Sequence, residues 1–352
     1  MNRRQMKQKA KKQKRRKRVF WFLLFPILLI ASSTIAYGTW LVKKAEVTMD
    51  KSYEAIEGRK KSDLRKEIVN PNDDNISILF LGIDTSEHRD YGETARTDAL
   101  MLATLNQKEK SVKLLSIPRD TYVYIEEVGY KTKINHAHAY AGPEASIRAV
   151  EKLLDIPVDY YVRMDFNAFM DVVEALDGIE VDVPYAFTEQ DSKDNQNAIS
   201  LKAGLQTLNG EEALAFARTR KKDSDVERGK RQQEVMKAVL DKAVSLQSVV
   251  KYGKIIDAIG SNMKTNMAFD EMKALIDYGV SGKLNVETLV LEGEDSYIKD
   301  VYYYQVNDQS LEELKTKLKK HLHVSNKEDR HKDKLNQEEE KIIGIKDDSS
   351  AS

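Results

Sequence analysis

The chain has 352 residues and no cysteine, which admits one large domain or two ordinary ones and excludes disulfides, thiolate metal centres and a cysteine nucleophile. Its 57 basic and 57 acidic residues cancel only on paper: residues 1–18 hold eleven Lys or Arg and no acid, leaving the remainder at a net of −11. So acidic a body is a poor general binder of nucleic acid, and any anion site in it must be local.

Val19–Val42 follows the basic tail as 24 residues without a charge. As a helix it spans about 36 Å against roughly 30 Å of hydrocarbon. Pro26 is tolerated in a membrane helix, and Trp21, Tyr37 and Trp40 stand where interfacial aromatics belong. The positive-inside rule puts the tail in the cytoplasm and everything after Lys43 outside. A cleaved signal peptide is the rival, but its apolar core would be only about 7–15 residues long. A nucleic-acid arm is a second rival, and beside a span a basic tail is more commonly a topology signal.

Residues 43–75 are charge-rich and end in the breaker cluster Asn70-Pro-Asn-Asp-Asp-Asn75, which reads as a partly helical stalk. Ile76–Asp84 is a short apolar run typical of a buried strand, and Asp98–Leu105 and Ser111–Ile117 are two more. The pattern continues with a helix over Ala145–Leu154, a strand at Tyr160–Met164, a helix at Phe166–Leu176 and a strand at Ile179–Val183. Arg228–Leu246 has the spacing of an amphipathic helix. Such alternation predicts an α/β fold, an α-β-α sandwich around a central mixed sheet. From Ser325 the chain is charged and without aromatics, as disordered tails are. The divisions are therefore 1–18 (basic tail), 19–42 (transmembrane helix), 43–75 (stalk), 76–324 (folded domain) and 325–352 (tail).

Charged residues gather at the ends of these elements. Asp84 closes the first strand, where open α/β sheets place their crevice. Arg96 and Asp98 share a face if their segment is extended, and Arg119 follows the third strand in Ser116-Ile-Pro-Arg-Asp120. Arg218 and Arg220 likewise share a face if Ala215–Arg220 is extended, whereas Arg228 and Gln232 share one on a helix. Guanidinium forks match phosphate oxygens bidentately, so five arginines surround a pyrophosphate in this reading. Asp84 and Asp98 would hold Mg²⁺, or Mn²⁺, which take one or two carboxylates plus substrate phosphates. The bland alternatives are surface turns and a solvated charged face, with the two aspartates only pairing the arginines. No Walker loop, Gly-x-Ser-x-Gly elbow or Gly-x-Gly-x-x-Gly occurs. His136 and His138 lack an evident third ligand for a metal, and a loop or acceptor-facing role suits them better. Tyr302-Tyr-Tyr304 alternates like a strand, which favours packing over sugar stacking.

Six motifs in order carry a resemblance: Phe80-Leu-Gly-Ile-Asp84, Ala95-Arg-Thr-Asp98, Leu115-Ser-Ile-Pro-Arg-Asp120, Lys133-Ile-Asn135, Phe216-Ala-Arg-Thr-Arg220 and Glu227-Arg-Gly-Lys-Arg-Gln-Gln233. Together they resemble the LytR–CpsA–Psr family signature, and the basic tail with one span is similar to that family's architecture. The resemblance implies a phosphotransferase moving a phosphoglycan, of teichoic-acid or capsule type, from a polyprenyl pyrophosphate carrier to peptidoglycan. The acceptor would be the 6-hydroxyl of N-acetylmuramic acid, in the wall of a Gram-positive bacterium. It makes Asp84 and Asp98 the metal-side carboxylates, with Arg96, Arg119, Arg218, Arg220, Arg228 and Gln232 on the pyrophosphate and head group. Asp98 is the preferred proton acceptor. It further implies a long apolar lipid pocket, for which Phe169, Val235 and Val239 are candidate linings. One departure stands out: where the family commonly reads Ala-Tyr-x-x-Gly-Gly after the asparagine, this chain has His136-Ala-His-Ala-Tyr-Ala-Gly142. A lipid-pyrophosphate hydrolase and a non-catalytic wall-associated regulator or scaffold are the competing readings.

Overall fold

The run Ile76-Ser-Ile-Leu-Phe-Leu-Gly-Ile83 forms β1, and its apolar residues are needed on both faces because helices cover the sheet on either side. In the computed structural model the described residues are 36–83, 95–222, 224–244 and 263–324. β1 pairs antiparallel with β2 (Thr97–Asn106) and parallel with β6 (Tyr160–Asp165). β3 (Ser111–Ile117) follows β2 antiparallel, and two short strands, β11 (Met263–Thr265) and β12 (Asn285–Val290), close the edges. The order β11-β6-β1-β2-β3-β12 makes a six-stranded mixed sheet, as expected.

Alternate residues serve opposite faces. Leu79, Leu81, Leu100, Leu102, Leu115 and Ile117 meet apolar residues of α2 (His136–Leu154) and α7 (Asp308–Leu322). Ile78, Met101, Ala103 and Leu114 meet Met236 of α5 (Asp225–Val244) and Met272, Leu275 and Tyr278 of α6 (Phe269–Val280). A further apolar cluster joins α5 to α3 (Phe166–Ala175), α4 (Gly210–Arg218) and the strand pair β7 (Ile179–Val183) and β10 (Gly204–Leu208). Phe169, Val235 and Val239 all belong to it. Two hairpins complete the site's surroundings: β4 (Tyr122–Ile125) with β5 (Tyr130–Lys133), and β13 (Gly293–Ile298) with β14 (Val301–Val306). The small pair β8 (Phe187–Glu189) and β9 (Ile199–Leu201) lies in the insertion after β7.

Two expectations need correction. The helix expected from Ala145 begins at His136, so His136 and His138 lie in a helical turn and not a loop. It kinks at Ala141 and Gly142, where Gly142 takes φ 63° and Pro143 restarts the helix without an amide donor. The segment that would put Arg218 and Arg220 on one face if extended is instead the end of α4, which Asn209 and Glu212 start with a capping box.

The chain divides into a unit ending at Thr48 and a second beginning at Met49. Most of the expected span, 19–35, lies outside the described residues, as do the basic tail and 325–352; residues 36–52 are helical (α1). No helix among the described residues is long and apolar enough to cross a membrane. Within the second unit, the segment expected as a stalk carries contacts of its own. Arg59 pairs with Glu151 at 2.8 Å, and Arg65 with Asp159 at 2.6 Å.

Candidate active site

The site grows from the end of the sheet. Between Gly82 and Ile83 the β1–β2 ladder shifts register: Gly82 faces Ala99 and Ile83 faces Thr97, so Asp98 is the extra residue of a bulge. Bulges re-aim side chains next to functional sites, and Asp98 is here a third exposed, with Oδ1 accepting from Arg119 Nη1 at 2.5 Å. Arg119 sits in the turn after β3. Thr121 N donates to the Pro118 carbonyl at 3.0 Å, Asn135 N to that of Arg119 at 3.2 Å, and Tyr304 N to that of Asp120 at 2.9 Å. Backbone from three parts of the chain thus fixes one turn. Arg119 Nε lies 3.6 Å from Asp120 Oδ2, and Lys133 Nζ is 2.7 Å from Asp120 Oδ1.

The second wall is the start of α5. Asp225 is nearly buried and divides its carboxylate: Oδ1 meets Arg220 Nη1 at 3.4 Å, Oδ2 meets Arg228 Nη2 at 2.9 Å. The helix is seated against β3 closely enough that a Cβ on Gly229 would lie 2.7 Å from Ser116 Oγ. Gln233 Nε2 locks it by donating to the carbonyls of Leu114 (2.9 Å) and Leu289 (2.7 Å). Beneath, the buried Arg231 donates to the Thr219 carbonyl and, at 3.5 Å, to Tyr185 Oη.

The electrostatics identify the members of the cluster. Burial disfavours the Arg119 cation, but Asp98, its hydrogen bond, Asp120 and Asp225 more than offset that, and its pKa rises above the ordinary arginine value. The Arg228 pKa falls: its side chain is only 7% exposed, and although Asp225 and Asp98 favour the cation, Arg119 and Arg220 repel it. Its Nε, like that of Arg119, is buried without a hydrogen-bond partner. An anion placed among Arg119, Arg220 and Arg228 would relieve that repulsion and supply acceptors.

Of the residues expected from sequence, Asp98, Arg119, Arg220 and Arg228 therefore come together. Arg218 is turned elsewhere, its guanidinium 4.9 Å from the Phe166 ring centre and 4.0 Å from Asp194. Gln232 donates to the Ala217 carbonyl at 3.4 Å, so it braces α4 against α5. Arg96 is exposed and acts on the other flank, where its charge, after burial, lowers the pKa of His136. Asp84 lies outside the described residues. Among the described residues no group of three His, Asp or Glu suits a metal.

Sequence reasoning gave no role to Asp120, Lys133 or Asp225, although Asp120 and Lys133 stand within its motifs, and it left His138 with only a loop or acceptor-facing role. His138 is buried; Nδ1 lies 2.7 Å from the Ala95 carbonyl, and burial chiefly lowers its pKa. It therefore acts as a neutral donor holding the backbone that leads into Arg96. The Asp225–Arg228 spacing of three was the one available signal for Asp225.

A model of the LytR_cpsA_psr family matches residues 39–320. The chain is 41% identical over 328 residues to the polyisoprenyl-teichoic acid–peptidoglycan teichoic acid transferase TagT of Bacillus subtilis (strain 168), covering 91% of this chain and 98% of that protein. The structure described as TagT bound to LIIa-WTA has a TM-score of 0.66 at 41% identity, over 77% of this chain and 100% of that one. A TagT structure with bound octaprenyl pyrophosphate lipid has a TM-score of 0.62 at 38% identity, with the same coverage.

Proposed function

The chain belongs to the LytR–CpsA–Psr family, and from that premise we propose that it is a phosphotransferase moving a phosphoglycan of teichoic-acid type from a polyprenyl pyrophosphate carrier to a peptidoglycan sugar hydroxyl. The observation that carries this reading is the cluster of Arg119, Arg220 and Arg228 around Asp98 and Asp225, with Arg228 buried and repelled by its neighbours. It suits a pyrophosphate better than a monoanion, because three forked donors close enough for their charges to act on Arg228 can serve more than one phosphate.

In the proposed reaction the acceptor oxygen attacks the phosphorus nearest the glycan. A new P–O bond forms to the sugar, the anhydride P–O bond breaks, and polyprenyl phosphate leaves. The hydroxyl proton passes to a carboxylate, for which Asp98 is proposed. Arg119, Arg220 and Arg228 bind the phosphates and offset the charge that moves onto the leaving oxygen. The anhydride itself supplies the driving force, which suits a compartment without ATP.

Asp98 is proposed to hold Mg²⁺ (or Mn²⁺) with Asp84. Its bulged, partly exposed carboxylate is compatible with an ion that takes one or two carboxylates plus substrate oxygens. Bound there, the ion would neutralise phosphate charge. Phe169, Val235 and Val239 are proposed to line the lipid pocket, supported by their common cluster between α3 and α5. Membrane anchoring through Val19–Val42, with the domain outside the cell, rests on the charge bias of residues 1–18. The deciding experiment is product identity. Full-length protein, synthetic lipid-linked glycan and peptidoglycan should yield a phosphodiester on muramic acid, identified by mass spectrometry after lysozyme digestion. A free glycan phosphate would make the protein a hydrolase, and neither product would leave the scaffold.

A further inference from the structure

Four tyrosines beside the charged cluster are not used by the chemistry above. Tyr297 and Tyr302 oppose one another across the β13–β14 hairpin, with ring centres 5.7 Å apart at 64°. Tyr303 meets Tyr122 of β4 at 4.7 Å and 58°. Lys133 links the two pairs, its Nζ lying 5.6 Å from the Tyr302 ring centre and 5.8 Å from that of Tyr303. The same ammonium is 2.7 Å from Asp120, the neighbour of Arg119. The hairpin is joined to the Arg119 turn by the Tyr304 amide and by a parallel bridge from Thr121 to Tyr304. After burial and the Asp295 hydrogen bond, the charges of Asp225 and Asp120 also act on the Tyr302 hydroxyl. The rings therefore begin where the phosphate cluster ends.

Packing explains Tyr304, which is buried with its hydroxyl on the Leu291 carbonyl at 2.8 Å. It does not explain Tyr297, which is 73% exposed, or the half-buried rings of Tyr122, Tyr302 and Tyr303. A ring with an apolar face and a polar tip, fringed by Lys131, Lys133 and Asp295, suits a ligand that is apolar on one face and hydroxylated at its edge. Pyranose rings have that character. We infer that Tyr297 and Tyr302 on one face of the hairpin and Tyr303 with Tyr122 on the other, flanking Lys133, form a stacking shelf along the hairpin edge for the sugar rings of the acceptor, the peptidoglycan glycan strand.

This inference rests on the transferase reading, and two observations favour acceptor over carrier. The shelf is built on the face of the sheet that holds α2 and α7, since Val123, Ile125, Tyr304 and Val306 belong to that core. The cluster proposed for the lipid is a separate one, formed by α3, α4 and α5 with β7 and β10. Attacking and leaving oxygens lie in line on opposite sides of the phosphorus, so an acceptor arriving from the shelf faces a carrier leaving toward that cluster.

The test uses the full-length chain in detergent and glycan strands freed of their stem peptides by an amidase. A Tyr297→Ala/Tyr303→Ala double variant should bind these strands about tenfold more weakly, from two lost ring contacts. Binding of polyprenyl pyrophosphate should stay unchanged. Tyr297→Trp/Tyr303→Trp, which keeps the aromatic faces, should retain strand binding within about twofold of the parent. Parental affinity in the alanine variant, parallel loss of strand and lipid binding, or no saturable strand binding by the parent would each overturn the shelf. If the parent binds strands but makes no muramic acid phosphodiester, the transferase reading falls and the binding result still stands.

Discussion

Replacing Arg119 by alanine removes a guanidinium 2.5 Å from Asp98 and 3.6 Å from Asp120, with two separable consequences. For the fold, the side chain is 24% exposed, so solvent screens its ion pairs and their loss should cost about 1 kcal/mol or less. For transfer, the phosphate loses a forked donor and meets carboxylates whose charge is no longer offset. Truncating one partner of a buried, hydrogen-bonded charge pair costs about 2–5 kcal/mol. At about 1.4 kcal/mol per decade, that is a fall of roughly 30-fold to several thousandfold in kcat/KM. Arg119→Lys keeps the charge but cannot serve Asp98 and a phosphate with one planar fork, so it should recover only part of the loss. The assay is transfer of a radiolabelled lipid-linked glycan, with urea midpoints measured alongside. A parental kcat/KM in the alanine variant would refute the reasoning, as would a loss matched by unfolding.

If Asp98 helps to hold a divalent ion, EDTA should stop transfer and Mg²⁺ or Mn²⁺ restore it, with Asp98→Asn raising the Mg²⁺ needed for half-maximal rate; full activity in EDTA would remove the metal. Gly229→Ala should destabilise the domain by about 1–3 kcal/mol through the Cβ clash with Ser116. Adding Ser116→Ala should recover part of that in urea titrations, and no recovery would show that the clash is not the cause. His321 is buried between Thr104 and Ser111, and burial pushes its pKa down to about 4. The unfolded state therefore takes up a proton first. Stability is complete above pH about 6.5 and should drain away toward pH 4, by at most about 3 kcal/mol. His321→Gln should flatten denaturation midpoints across that window, and an unchanged pH slope would clear His321 of the effect. Protease added to protoplasts should digest the chain beyond Lys43 and leave a small protected fragment, whereas an intact resistant domain would reverse the orientation.

The sheet was legible because its central strands are apolar on both faces, so runs such as Ser111–Ile117 could hardly be anything else. The β13–β14 hairpin was not. Its turn residues Lys299 and Asp300 both adopt positive φ, 51° and 62°, without the Asn-Gly or Asp-Gly pair that usually announces such a turn. The arginines were legible as a set, but their division was not. Arg218 and Arg220 looked equivalent until the helix over Gly210–Arg218 ended between them and sent them to different partners. The Asn209-x-x-Glu212 cap was the overlooked signal. Asp225 owes its importance to Arg220 and Arg228 meeting on one carboxylate, of which the local spacing to Arg228 announces only half.

The parallel pairing of β12 with β3 sets the order in which this molecule can be made. Lys113 and Glu287, on facing strands, are 174 residues apart in sequence. Until that loop closes, the outer edge of β3 is a row of unpaired amides and carbonyls, open to any other extended chain. Closure over such a separation is also slow relative to local contacts. Because Gln233 spans from Leu114 on β3 to Leu289 on β12, α5 is locked in place only after the late strand arrives. Arg228 and Asp225 ride on that helix. A chain interrupted before Asn285 should therefore expose that edge and lack the seat of α5 at the same time.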